Sequence, residues 1–209
     1  MSQQQGESIT VFSDYVCPFC YLGRHSLSQY QDSREEPLDI DWHPFDLRSQ
    51  KRNPDGTIDF SVDDGKDEDY YAQAKENVRR LQEKYDVEMT LDLATDIDSL
   101  PAQLASFYVK QEYPDLWLGF DEAIFTALWE EGKDIGDRDV LLSLAADAGI
   151  DPEELELAFE DETLREQVFA KFSEAHEYGV TGVPTFAYDG YAARGAVPPE
   201  QLDRLVEGV

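Results

Sequence analysis

The chain reads as an α/β domain split around an all-helical insertion, and three observations carry that reading. A β-branched run, Ile9-Thr10-Val11-Phe12, leads into a helical segment, and a period-two stretch, Leu38-Asp39-Ile40-Asp41-Trp42, follows it. From about residue 67 onward the apolar residues recur every three or four positions, the period of an amphipathic helix. Strand character returns only in Thr185-Phe186-Ala187-Tyr188. Each end is too short to close a core alone, whereas 209 residues suffice for one core with an inserted subdomain. The expected division is residues 7–62 for the first part of the α/β domain, 63–178 for the helical insertion and 179–209 for the completing part.

Taken in order, residues 8–15 read as a buried strand and residues 17–32 as a helix. Pro18 suits an early helical position, where its missing N–H costs nothing. Residues 48–66, rich in Pro, Gly, Asp and Asn, read as loop. Tyr71, Ala74, Val78, Leu81 and Tyr85 lay out one apolar helix face, and residues 100–112 and 116–131 predict two further helices. Val140, Leu141, Leu144, Ala145 and Ala148 form a stripe that Gly149 stops. Asp151-Pro152-Glu153-Glu154 then supplies an N-cap, a proline at the first helical position and acidic residues for the first turn. Leu164, Val168, Phe172 and Ala175 line another helix, ended by Gly179. Asp189-Gly190 marks a hairpin turn between residues 185–188 and 191–194, and Pro198-Pro199 introduces a closing helix.

The chemistry is concentrated in Cys17-Pro18-Phe19-Cys20, which holds both cysteines of the chain. A thiol at a helix start faces unpaired backbone N–H groups and the positive end of the helix dipole, which favour thiolate over thiol. Thiolate is the species that attacks disulfides, and a second thiol three positions on can resolve the mixed disulfide. A structural disulfide is the weaker reading, because so short a ring constrains little chain. Cys17-x2-Cys20-x4-His25 resembles half a zinc site, but neither His43 nor His176 completes it at a recognisable spacing. No metal or organic cofactor is expected.

The charge is unusual. Seventeen basic residues stand against forty-six acidic ones, a formal net charge of −29 dispersed along most of the chain. Such a surface argues against nucleic acid as a partner, since no basic patch is visible. It suits a halophilic setting, because the Debye length at 1 M salt is about 3 Å and self-repulsion is screened. The first eight residues lack the basic and apolar regions of a leader, and no apolar run of about 18 residues occurs, so neither export nor a membrane partner is expected. A cytoplasmic location follows, where a CxxC points to redox work rather than a disulfide scaffold.

These residues together resemble the thioredoxin fold, and within it the DsbA-like family, especially its cytosolic FrnE-type branch. The resemblance rests on Ser13 to Gly23 around the CPFC motif, on Trp42-His43-Pro44-Phe45-Asp46-Leu47, and on Gly179-Val180-Thr181-Gly182-Val183-Pro184-Thr185-Phe186 with Gly195-Ala196. It implies a thioredoxin-like fold with a helical insertion, Cys17 as the exposed nucleophile and Cys20 as the buried resolving thiol. It also implies that Pro184 is a cis-proline facing the motif, leaving the Val183 backbone to pair with an extended substrate. By its residues alone Pro184 would read as an ordinary trans proline opening a strand. The implied activity is thiol–disulfide exchange with protein or low-molecular-weight thiol and disulfide substrates, with Pro18, Phe19, Val183 and Pro184 contacting them. Two departures stand out: Ala102-Gln103 where relatives often carry Ala-His, and the lack of cysteines outside the motif.

Two rival functions share this architecture. 2-Hydroxychromene-2-carboxylate isomerase and kappa-class glutathione transferase need a single active hydroxyl or thiol, so the intact Cys17/Cys20 pair favours exchange over them. A non-catalytic peptide-binding or chaperone module would use the groove above Pro184 without turnover. Among other residues, Asp14 reads as a turn or cap residue and, secondarily, as a proton acceptor during exchange. Arg24 is the nearest fixed positive charge in sequence to Cys17, and His25 falls two turns into the helix. Trp42 reads as core, Phe45 as a candidate groove residue and Phe19 as reaching solvent or substrate.

Overall fold

The computed structural model describes residues 8–208. The expected domain start at residue 7 and the residues 1–7 read as lacking a leader lie outside the described residues. Four strands, β1 (Ser8–Ser13), β2 (Asp39–Pro44), β3 (Thr185–Tyr188) and β4 (Tyr191–Arg194), form one mixed sheet in the order β2-β1-β3-β4. β1 runs parallel to β2 and antiparallel to β3, and β3 antiparallel to β4. The two ends of the sequence therefore meet at the β1–β3 ladder, where Val11 pairs with Phe186.

Eight α-helices complete the described residues: α1 (Pro18–Ser33), α2 (Glu68–Tyr85), α3 (Leu100–Glu112), α4 (Pro114–Trp129), α5 (Arg138–Asp147), α6 (Pro152–Phe159), α7 (Glu162–Glu177) and α8 (Pro199–Glu207). This is an α/β fold of thioredoxin type with a helical insertion. Part of the acidic excess is used in capping: Asp67, Asp137, Asp151 and Asp161 each accept a backbone N–H at the start of α2, α5, α6 and α7. The expected first strand ran to residue 15 but ends at Ser13, because Asp14 is drawn into a turn. Its carbonyl accepts from the Cys17 N–H at 3.2 Å and its carboxylate from the Val16 N–H at 3.3 Å. The stretch 48–66 is irregular apart from a short 3-10 turn, Ser49–Lys51, and an isolated antiparallel bridge between Arg52 and Ile58.

Alternation along β1 assigns the sheet faces. Ile9 and Val11 pack with Leu27 and Tyr30 of α1 and Leu202 of α8, whereas Phe12 packs on the opposite face with Phe45, Ala175 and Val180. The largest cluster joins the CPFC end of α1 to the helical block through Tyr15, Tyr21, Trp42, Phe125 and Trp129. Trp129 Nε1 donates to the Tyr15 carbonyl at 2.8 Å, tying α4 to the turn that precedes the motif. The motif thus sits where sheet, helical block and the β3 entry converge.

Candidate active site

Cys17 is the N-cap of α1, with Pro18 opening the helix. No side chain caps this end, and the Cys17 carbonyl accepts from the Cys20 N–H at 3.0 Å. The turn before it is fastened from below. Asp14 is 1% exposed, and its second carboxylate oxygen accepts from the Leu47 N–H at 2.8 Å, linking the motif to the segment after β2. Burial, reinforced by the nearby Asp46 charge, pushes the Asp14 carboxyl up to about 6 against the hydrogen bonds that favour its anion. Its bonds from the Val16 and Leu47 N–H groups give Asp14 the turn role that its residue type first suggested.

Both cysteines are reduced and buried, Cys17 at 4% exposure and Cys20 at 3%. The implied contrast between an exposed Cys17 and a buried Cys20 is corrected in this respect: they differ in which cavity they border. The Cys17 thiol donates to the Val183 carbonyl at 3.5 Å, which covers the sulfur, and the Val183–Pro184 bond is cis. Cys17, Pro18, Phe19 and Val183 border a cavity of about 400 Å³. Cys20 borders a separate cavity of about 300 Å³ between α1 and α4. Burial, then its hydrogen bond with Cys17 and the Cys17 charge, hold the Cys20 thiol well above the ordinary thiol range.

Several expected neighbours are elsewhere. Arg24 is engaged by the buried Asp121 carboxylate and the Leu118 carbonyl, and it borders the Cys20 cavity instead of the Cys17 cavity. His25 meets Tyr21 edge-on at 4.6 Å on that same side, and burial followed by Arg24 lowers its pKa, favouring the neutral ring. Phe45, a candidate groove residue, is buried against Phe12, Ala175 and Val180, because it lies on the far sheet face. Trp42 is core, as expected, at 5% exposure. Phe19 is half-buried at the cavity wall. Gln103, in place of the common histidine, is fully buried and donates to the Phe45 carbonyl at 3.0 Å. Among the described residues no group of three or more His, Cys, Asp or Glu side chains could hold a metal ion, and no helix is long and apolar enough to cross a membrane.

Two features escape sequence reasoning. A Cβ on Gly23 would lie 3.0 Å from Pro184 Cγ and 3.2 Å from Phe186 Cζ, so the missing side chain lets α1 pack against the cis-proline segment. Its signal was present in its spacing, one helical turn beyond Cys20. The second feature is basic: Arg48, Lys51 and Lys66 all border the Cys17 cavity. They come from residues 48–66, the stretch read as loop.

Comparison with known proteins agrees with this architecture. The DSBA-like thioredoxin domain matches residues 8–207. A Bacillus subtilis protein, YwbO, is 27% identical over 199 residues, spanning 95% of this chain and 94% of that one. Among solved structures, a probable DsbA oxidoreductase from Streptomyces coelicolor superposes with a TM-score of 0.75 at 21% identity, covering 97% and 89% of the two chains. 2-Hydroxychromene-2-carboxylate isomerase gives 0.71 at 19% identity, covering 95% and 90%. The cytosolic disulfide reductase DsbM from Pseudomonas aeruginosa gives 0.62 at 20% identity, covering 89% and 87%.

Proposed function

The chain belongs to the DSBA-like thioredoxin domain family, and from that premise we propose that it is a cytoplasmic thiol–disulfide oxidoreductase of the FrnE type. The observation that carries the reading is the convergence at one cavity of the Cys17 helix cap, Phe19 and the cis Val183–Pro184 segment, with Cys20 one turn behind. In this reading the Cys17 thiolate attacks one sulfur of a substrate disulfide, forming a mixed disulfide and releasing the other sulfur as thiolate. Cys20 gives up its proton and attacks the Cys17 sulfur. The second substrate thiolate leaves, and two electrons have passed from the protein dithiol to the substrate. Run in reverse, the same steps oxidise a substrate dithiol.

Burial of Cys20 fits a resolving role, because a thiol held protonated does not compete with Cys17 for substrate. Val183 and Pro184, with Pro18 and Phe19, form the substrate-contacting wall, and residues 7–62 with 179–209 act as the thioredoxin-like domain around the insertion 63–178. The test is a thiol-trapping titration of Cys17 and Cys20 against a dithiol redox buffer. One two-electron transition is expected, with Cys20→Ser accumulating a Cys17 mixed disulfide. Absence of any disulfide across the accessible potentials would overturn the reading and favour isomerase chemistry.

A further inference from the structure

Four charged side chains border the cavity beside Cys17: Arg48, Lys51, Asp64 and Lys66. Three cations to one anion is a formal +2, in a chain whose overall balance is seventeen cations to forty-six anions. Asp64 does not neutralise the group, because one carboxylate is shared between Lys66 at 3.2 Å and Lys51 at 3.5 Å. Against a burial that would raise it, Lys66 and then Lys51 hold the Asp64 carboxyl below its ordinary range. The Arg48 guanidinium donates to the Ala94 and Thr95 carbonyls, and of the Asp14, Asp98 and Asp46 carboxylates that act on its charge, Asp46 and Asp98 are paired with Arg52.

The surroundings strengthen this local field. The Lys51 side chain is only 13% exposed. Arg48 lies 5.6 Å from the Phe60 ring centroid and Lys66 lies 5.9 Å from that of Tyr70, both rings being exposed. Cations set among rings and partly shielded from water attract an anion more strongly than they would in bulk solvent. The formal net charge of −29 disfavours anions over the molecule as a whole.

We propose that this groove selects disulfides whose sulfur is flanked by carboxylates, with Arg48, Lys51 and Lys66 as the specificity-determining residues. The inference rests on the reading of Cys17 as the nucleophile. Once a substrate sulfur is bonded to Cys17, the groups next to it occupy the 400 Å³ cavity that the three cations border. The carboxylates belong either to a small disulfide or to residues adjoining a polypeptide cysteine, and the chemistry of recognition is the same. Electron and proton balance is that of ordinary exchange, and no further reactant is required.

The experiment compares exchange rates of the reduced protein with one peptide disulfide whose cysteine is flanked by Glu, Gln or Lys. It also compares oxidised glutathione with bis(2-hydroxyethyl) disulfide. Each rate is divided by that of 2-mercaptoethanol with the same disulfide, at the lowest salt that keeps the protein folded by circular dichroism. The expected order is Glu over Gln over Lys, with about a tenfold preference for Glu over Gln. The Glu-to-Gln ratio falls toward one in Lys51→Gln/Lys66→Gln and inverts in Lys51→Glu/Lys66→Glu, which makes the groove net negative. Preference for oxidised glutathione or for the Glu peptide alone identifies the source of the carboxylates. Equal rates for Glu and Gln in the wild-type protein would overturn the proposal. So would a double variant that slows both equally, since the cations would then serve only the Cys17 thiolate. Failure to exchange with any disulfide would instead remove the oxidoreductase reading.

Discussion

Replacing Asp14 with Asn tests whether the turn beneath the motif holds a carboxyl whose charge the fold opposes. The Asp14 carboxyl stands at about 6 in the folded chain against an ordinary 3.8, with burial the principal cause. Because the folded value is raised, the contribution of Asp14 to stability is full below the unfolded value. It is lost as pH rises through the folded one. At about 1.4 kcal/mol for each pH unit between the two values, the loss is about 3 kcal/mol by pH 8. Asn does not titrate. It retains one acceptor oxygen but turns an NH2 toward either the Val16 or the Leu47 N–H, a pH-independent cost of about 1–3 kcal/mol. The variant is therefore expected to be less stable than the wild type near pH 4 and to recover about 2.5 kcal/mol relative to it by pH 8. Urea unfolding of both proteins by tryptophan fluorescence, at fixed salt and at several pH values, supplies the difference curve. The other carboxyls are common to both chains and cancel, except for Asp46, whose charge acts on Asp14. A difference curve flat to about 0.5 kcal/mol would refute the raised Asp14 value, and a slope of opposite sign would mean that the hydrogen bonds outweigh burial.

Gly23→Ala places a methyl against Pro184 and Phe186, so a loss of about 1–3 kcal/mol in urea unfolding is expected together with slower disulfide exchange. Arg52→Met leaves Asp46, whose side chain is 2% exposed, without its 2.6 Å partner and is expected to cost about 3–5 kcal/mol. Adding Asp46→Asn to that variant should restore part of the loss, and failure to do so would show that the Arg52 bond to the Gly56 carbonyl matters more than the ion pair. The net charge of −29 predicts that the urea midpoint rises as salt is increased from about 0.1 M to about 1 M; an unchanged midpoint would contradict self-repulsion as a significant term.

The secondary structure was readable because its signals are local. The helix over residues 100–112 and the hairpin at Asp189-Gly190 follow from periodicity and turn chemistry within a few residues. The CPFC helix cap was equally local. Cys17 exposure was not, since the Val183 carbonyl that covers its sulfur lies 166 residues away in sequence. Arg24 misleads for the same reason. Sequence proximity to Cys17 is outweighed by Asp121, a buried carboxylate from α4 that no local pattern could have placed beside it.

The basic lining of the Cys17 cavity illustrates where the field around a reactive thiol originates. α1 has little room to supply cations toward the groove: its buried positions, Leu22, Ser26 and Leu27 among them, are taken up by packing, and its one early cation is held by Asp121. The charges come instead from the chain between β2 and α2, which must bend back over the motif. Arg52 makes that bend possible by binding Asp46, Asp98 and the Gly56 carbonyl at once. A buried ion-pair cluster of this kind adds little net stability over an apolar replacement, but it fixes the path of an irregular segment. Its position here fits that use, for it sets the course of the loop that carries Arg48, Lys51 and Lys66 to the Cys17 cavity.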